Sequence, residues 1–305
     1  MQRNGVVSNI PALKGLDNQW ALQAKDKADL LSETFAKKYG LSAQERNEYT
    51  SLASHQGQAQ RSLKQLHEKD VETVLSSLRE DSGTGPDGLP ARILKNCSSA
   101  LARPIFFLLM RILTSGVWPQ IWRQHWVAPL HKKKSVYQPD NYRGVHLTAQ
   151  LSKVVERLLK SLYYPYLLST SAFGPSQFAY TTGRGARDAL AILVLTWLSA
   201  LAAGRKIGVY CSDVSGAFDR VSLERLVAKL KKKGIHPKIV EVLASWLQQR
   251  FAQVVVGGEL SIMMVLLNMV YQGTVTGPIL WNLFFEDARH AINDNLFKEV
   301  VYAAT

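Results

Sequence analysis

One acidic residue, Asp213, follows a mostly apolar stretch and precedes a turn of small residues, within the segment 206–221 (KIGVYCSDVSGAFDRV). The two alternating sets of residues in 207–212 are both compatible with a strand buried on two faces, which would place Cys211 in the core. A carboxylate at the end of such a strand is expected to lie at a cleft. The alternative is that Asp213 merely begins a turn.

A second group of candidate residues is basic. Lys132 lies in a run of three lysines, 132–134, at the end of an apolar stretch, and Arg143 follows a few residues later. A lysine can grip a phosphate as a point charge while an arginine binds it as a fork. A lysine run is also typical of a solvated face, so phosphate contact and simple solvation both stay open.

The elements that would position these residues can be read from local patterns. Apolar residues at helical spacing predict helices around 71–78, 154–162 and 239–247. Ser222 is a candidate N-cap, and Pro237 and Pro278 suit first helical turns. The segments 251–256 and 260–267 predict a hairpin across two glycines, and 127–130 and 299–302 predict short strands.

The composition bounds the class of protein. The 305 residues are 47% hydrophobic and carry a formal net charge of +13, which favours a globular chain with a polyanionic partner. The two cysteines are far apart and no secretory signal is present, so we expect an intracellular, reducing compartment, cytoplasmic or nuclear. The longest uncharged run, 189–204, is shorter than the roughly 20 residues of a membrane span, which predicts a buried helix and no membrane association.

Several motifs in this order resemble the reverse transcriptase domain of non-LTR (LINE-type) retrotransposons. The segment ending in Asp213 followed by Ala217-Phe218-Asp219 looks like polymerase motif A, and 271–284 (YQGTVTGPILWNLF) is similar to motif B. Upstream segments at 82–95, 128–147 and 174–190 look like the family's fingers blocks. Gly144 departs from the proline that usually follows the arginine at 143.

The resemblance implies an α+β fold, the fingers and palm of a right-hand polymerase. The domains expected are an N-terminal connecting region at 1–69, fingers and the start of the palm at 70–204, and the palm with motifs A and B at 205–305. The family's activity is RNA-directed DNA polymerase, a nucleotidyltransferase that acts on an RNA template, a DNA primer and deoxynucleoside triphosphates.

The resemblance also assigns roles to residues. Asp213 and the backbone carbonyl of Val214 would bind Mg²⁺ in a two-metal site. The nucleotide-binding residues would be Lys132 and Arg143 on the triphosphate, Phe218 against the sugar, and Gln272 and Gly273 over the nucleotide and template base. A bulky ring at 218 would exclude a 2′-hydroxyl and so favour deoxynucleotides.

The family's motif C, Tyr-Ala-Asp-Asp, is degenerate in this chain. Tyr302 and Ala303 match it, whereas Ala304 and Thr305 occupy the two aspartate positions and supply no carboxylate. The chain stops there, so we expect the end of the palm and the thumb to be missing and the truncated domain to be inactive. The alternative function is a catalytically silent nucleic-acid-binding remnant of such an element.

Overall fold

Strand β3 organises the main sheet because it pairs on both edges. The computed structural model describes residues 10–15, 17–41, 59–214, 216–287 and 300–301. β3 (Gln124–His131) pairs antiparallel with β4 (Tyr142–Leu147) and parallel with β5 (Arg250–Val256). Two short strands then pair antiparallel with β5, namely β6 (Glu259–Leu260) and β7 (Met264–Leu266).

Helices and minor elements surround this sheet. A two-stranded ladder near the N-terminus pairs β1 (Leu13–Lys14) with β2 (Trp20–Ala21). The helices are α1 (Ala24–Tyr39), α2 (Glu68–Ser76), α3 (Ala91–Asn96), α4 (Ser98–Ser115), α5 (Gln150–Ser169), α6 (Ala186–Ala202), α7 (Leu223–Lys232), α8 (Pro237–Leu247) and α9 (Gly277–Phe285). Short 3₁₀ turns cover Gln120–Arg123, Pro139–Asn141 and Phe218–Arg220.

This mixture of helices and strands confirms the α+β content predicted from sequence, and several boundaries follow local signals. The Ser222 hydroxyl accepts a hydrogen bond from the Arg225 N–H at 3.4 Å, which caps α7. Pro237 and Pro278 lie in the first turns of α8 and α9. The predicted hairpin is present, because β6 and β7 return antiparallel to β5.

Helix α1 packs on the sheet through one face. Leu31 and Phe35 are buried at helical spacing, and the helix contacts β5, β6 and β7. Fully burying each such side chain stabilises the fold by about 1.5–3 kcal/mol. The part of the N-terminal region that contains α1 is therefore anchored to the sheet.

Helix α4 is the one helix among the described residues that is long and apolar enough to cross a membrane by length and composition alone. Its residues Ile105, Leu109 and Ile112 are buried, and it packs against α2 and α8. A core helix of a globular protein gives the same pattern, so the finding carries little weight for a membrane.

The prediction that 189–204 forms a buried helix is wrong in its burial. Helix α6 forms there, but Leu195 is 63% exposed, and Leu190 and Leu198 are also more than half exposed. An apolar composition favours burial of a helix, but burial also requires a neighbouring element that packs against it. Within the described ranges, no element covers most of this face of α6, and only Ala189 of the helix is buried.

The strand predicted before Asp213 is also absent from the structure, which describes 205–214 without strand pairing. Tyr210 is 86% exposed and Val209 60%, and the Cys211 side chain is exposed rather than in the core. Alternation gives a segment strand propensity, but a strand forms only when a neighbouring strand satisfies its backbone groups.

Of the strand predicted at 299–302, only 300–301 falls within the described residues. Val301 forms an isolated parallel bridge with Gln177. Its N–H donates to the Ser176 carbonyl at 2.9 Å, and its carbonyl accepts from the Phe178 N–H at 3.0 Å. Val301 therefore pairs with the segment 176–178, which precedes α6.

Candidate functional site

Asp213 lies on the exposed segment that precedes the 3₁₀ turn at Phe218–Arg220. Its side chain is exposed and Val214 is 43% exposed. In the described part of the chain, no hydrogen bond or ion pair joins Asp213 to another predicted site residue, and no three His, Cys, Asp or Glu side chains are grouped to hold a metal ion. A single exposed carboxylate is too small a donor set for a pair of divalent cations, which require several oxygen ligands.

The residues at 302–305, predicted as a degenerate motif C, lie outside the described residues. The donor set within the described ranges therefore does not fit the two-metal site that the motif resemblance implies.

Phe218 is packed into the protein interior. Its side chain is 5% exposed and its ring stacks on Trp281 of α9, with centroids 5.8 Å apart and planes 24° from parallel. Tyr180 meets it edge-on at 6.4 Å. The Phe218 carbonyl also accepts a hydrogen bond from the Val270 N–H at 3.0 Å. These contacts tie the segment after Asp213 to the chain on both sides of the 271–277 turn.

Lys132 and Arg143 are brought together at one end of the β3–β4 hairpin. Arg143 is opposite Leu130, and the Lys132 N–H donates to the Asn141 carbonyl at 2.8 Å. The Arg143 Nε is buried and has no hydrogen-bond partner among the residues that the structure describes. A basic pair at a strand end can bind an anion such as phosphate.

Asp219 interacts electrostatically with Lys132 of this pair. Burial raises the pKa of its carboxyl group, and the positive charges of Lys132 and Lys38 oppose that rise. Asp219 is therefore placed to balance positive charge beside Lys132.

Gly144, where the resembling family usually has proline, is explained by its neighbours. A Cβ atom at this position would lie 2.5 Å from the Tyr39 hydroxyl oxygen and 2.6 Å from the Val127 Cγ1. Both distances are far below normal van der Waals contact. Glycine at 144 therefore leaves the space that Tyr39 of α1 fills against the sheet.

The turn at 271–277 presents Gln272 and Gly273 beside β4. The Gln272 carbonyl accepts a hydrogen bond from the His146 N–H at 2.9 Å. Gly273 is exposed and has φ +97°, and a Cβ there would lie 2.6 Å from the His146 carbonyl oxygen. Only glycine combines this conformation with so close a backbone approach.

A buried polar cluster under this turn was not anticipated from the sequence. Arg250 is fully buried, and its guanidinium lies 4.6 Å from the ring centroid of Tyr271. It also contacts the His125 Nε2 at 2.7 Å and donates to the Trp246 carbonyl at 2.8 Å. The signal in the sequence was polar residues at inward-facing strand positions, which is uncommon without a partner.

Two histidines complete the cluster. The Nδ1 atoms of His125 and His146 are 3.1 Å apart, so one donates to the other. Burial lowers the pKa of His146 to about 3, with the Arg250 charge acting in the same direction. Burial likewise lowers the pKa of His125 well below its usual value. Both rings are therefore neutral near pH 7, beside a charged arginine.

The sequence of this chain is similar to a known protein family. A family model described as reverse transcriptase (RNA-dependent DNA polymerase) matches residues 130–303, more than half of the chain. That range contains Lys132, Arg143, Asp213, Phe218 and the 271–277 turn.

Three Drosophila melanogaster proteins illustrate the similarity. The RNA-directed DNA polymerase from mobile element jockey is 27% identical over 72% of this chain and 24% of its own length. The probable RNA-directed DNA polymerase from transposon BS is 28% identical over 74% and 25%. That from transposon X-element is 25% identical over 72% and 24%. The chain thus spans about a quarter of the relatives it matches. The chain belongs to the reverse transcriptase family, in the non-LTR, LINE-type branch of retrotransposon RNA-directed DNA polymerases.

Proposed function

We propose that this chain is the fingers and palm region of a LINE-type reverse transcriptase and that it engages an RNA template, a DNA primer and a deoxynucleoside triphosphate. The observation that carries the proposal is the family match over 130–303, which includes motif A and motif B in order. The division at 69 and 204 into a connecting region, fingers and palm is part of this proposal.

In this proposal, the basic pair and the 271–277 turn contact the nucleotide and the template. Lys132 and Arg143 at the hairpin end would bind the triphosphate as a point charge and a fork. Gln272 and Gly273 would lie over the nucleotide and template base, because the glycine allows close backbone approach. Phe218 would limit space beside the sugar, although only 5% of the residue is exposed.

The candidate metal site has too few oxygen ligands within the described residues of this chain. Asp213 and the Val214 carbonyl are the ligands we propose for Mg²⁺, yet the donor set does not fit a metal pair. Ala304 and Thr305 add no carboxylate where the family has two aspartates. We therefore propose that this chain does not catalyse nucleotidyl transfer, since loss of metal-held charge commonly costs several kcal/mol in the transition state.

A second candidate is a nucleic-acid-binding module that is catalytically silent. The net charge of +13 favours it, because basic surfaces release counterions from a phosphate backbone. Binding of this kind weakens steeply with salt and does not depend on Asp213.

Primer extension tests the proposal. The chain is incubated with an RNA template, a labelled DNA primer, Mg²⁺ and deoxynucleotides, beside an Asp213→Ala control. We expect salt-dependent binding of the hybrid and no product above the control. Robust extension that requires Asp213 would contradict the proposed inactivity, and absence of hybrid binding would contradict the proposed function as a whole.

A further inference from the structure

Glu156 is a buried acid with no role in the site described so far. It lies on α5, whose neighbouring positions Val155, Leu158 and Leu159 are apolar and buried, and its own exposure is 0%. Burying a carboxylate is costly unless hydrogen bonds replace its water. Its partners therefore indicate what it does.

The partners of Glu156 lie in the 271–277 turn. Its Oε2 accepts hydrogen bonds from the Val275 N–H at 2.8 Å and the Thr276 N–H at 3.2 Å. Its Oε1 accepts from the Ser152 hydroxyl at 3.2 Å. The two backbone donors stand at the start of α9, where N–H groups lack partners within the helix and favour a negative charge.

The turn is thus held from two sides. His146 of β4 holds Gln272 through a backbone hydrogen bond, and Glu156 of α5 holds Val275 and Thr276. Gly273 lies between these two attachments, and its exposed backbone has φ +97°. Loss of either attachment would remove one of the two contacts that join this backbone to β4 and to α5.

From this geometry we propose that Glu156 is a positioning residue, which fixes the 271–277 turn so that Gln272 and Gly273 meet the template base and nucleotide. The inference rests on the proposed function for the meaning of the turn. It concerns a residue that contacts the turn through hydrogen bonds to its backbone rather than through substrate.

The charge state of Glu156 reflects competing influences. Burial raises the pKa of the carboxyl group, whereas the Arg250 charge and the hydrogen bonds from Thr276 and Val275 lower it. All three hydrogen bonds are donated to Glu156, so none of them requires a proton on its carboxyl group. A glutamine can keep both turn contacts through its carbonyl oxygen and turn its amide toward the Ser152 oxygen, whereas leucine keeps none.

The experiment compares Glu156→Leu and Glu156→Gln with Leu158→Ala in the full chain. Leu158 is on the same helix and 1% exposed, so its truncation weakens the core without removing an acceptor from the turn. The first readout is amide hydrogen exchange at Val275 and Thr276, divided by exchange at Val254, which is buried in β5. The division cancels a change in global stability when all three amides exchange through the same global opening.

The second readout is the affinity for an RNA template–DNA primer hybrid with a single-stranded template overhang, relative to a blunt hybrid. We expect Glu156→Leu to raise the relative exchange and lower the overhang preference, each by about fivefold or more, because the Val275 and Thr276 N–H groups lose their acceptor. Glu156→Gln should lie within about threefold of the wild type in both, because it keeps an acceptor. Leu158→Ala should match the wild type in both ratios.

Each outcome decides a claim. Equal ratios for Glu156→Leu and Leu158→Ala would overturn the positioning role, since the glutamate would then act only on stability. A wild-type chain without overhang preference would overturn the proposed function, and the exchange ratio would still decide whether Glu156 fixes the turn.

Discussion

The ring of Phe218 stacks on the ring of Trp281, with centroids 5.8 Å apart and an interplanar angle of 24°. Motif A and the helix of motif B therefore meet through two aromatic faces, although the strand before Asp213 is not formed. Both side chains are buried, at 5% and 6% exposure. Aromatic pairs of this kind add stability beyond the area they bury.

Truncation of Phe218 should therefore destabilise the fold. We expect Phe218→Ala to lower the free energy of unfolding by about 3–5 kcal/mol, as for other buried aromatic residues. In a double-mutant cycle with Trp281→Leu, the coupling should be about 0.5–1.5 kcal/mol. Urea unfolding measures both. Phe107, which is 57% exposed, is the control. A Phe218→Ala effect as small as that of Phe107→Ala would show that the ring is not packed in the core.

Replacement of Gly273 should cost more than replacement of a glycine in open space. A Cβ at 273 would lie 2.6 Å from the His146 carbonyl oxygen, whereas one at Gly183, with φ +75°, would meet no atom within 4 Å. Both substitutions to alanine carry the penalty for positive φ, about 1 kcal/mol. Gly273→Ala should lower the free energy of unfolding by roughly 1–3 kcal/mol more, because the backbone must shift. Equal losses in thermal or urea unfolding would refute the close approach.

The buried histidines should make the protein sensitive to acid. Burial lowers the pKa of His146 to about 3, and an unfolded histidine titrates near ~6.5. Between these values the unfolded chain binds a proton that the folded chain does not, so stability falls as the pH drops. The raised pKa values of Glu156 and Asp219 give the opposite slope, since the folded chain then holds protons longer.

Comparison of a His146 variant with the wild type isolates the contribution of His146 to the pH dependence of stability. His146→Asn should flatten the plot of unfolding free energy against pH, between about pH 6 and 4, by up to about 1.4 kcal/mol per pH unit relative to the wild type. His131→Asn removes an exposed histidine and serves as the control. Parallel curves for His146→Asn and the wild type would mean that His146 is not buried as a neutral ring.

The exposed face of α6 should tolerate polar substitutions with little change in the free energy of unfolding. Leu195 is 63% exposed and Leu159 of α5 only 1%. Leu195→Gln should change the free energy of unfolding by less than about 0.5 kcal/mol, whereas Leu159→Ala should lower it by about 2–5 kcal/mol. Comparable losses for the two substitutions, measured by urea unfolding, would show that α6 is covered in solution.

Features that depend on neighbouring residues in the chain could be predicted from the sequence. The cap at Ser222, the prolines that begin α8 and α9, and the hairpin of β5 and β6 were all read from local patterns and are present. Features that depend on a partner far away in the chain could not be predicted from the sequence. The strand at 207–212 requires a neighbour that alternation cannot supply, and the same holds for the burial of α6.

The candidate site shows the same division. Gln272, Gly273, Lys132 and Arg143 were predicted from motif and charge and stay a prediction as site residues. The structure places the turn beside β4 and the basic pair at one hairpin end. Glu156 was missed because a lone acid in a helix is usually solvated. Its partner Val275 lies 119 residues further along the chain. The available signal was an acid flanked by buried apolar residues on α5.

Hybrid binding tests the central claim most directly, which is that the 271–277 turn meets a template base in this chain. Fluorescence anisotropy would give the dissociation constants of an RNA template–DNA primer with an overhang and of the blunt hybrid, for the wild type and for Gly273→Val. Stacking and contact with one unpaired base are worth about 1–3 kcal/mol, so the wild type should bind the overhang about fivefold or more tightly than the blunt hybrid. Gly273→Val should lose that preference while keeping its salt-dependent affinity for both. Equal dissociation constants for the two hybrids with the wild-type chain would contradict the account.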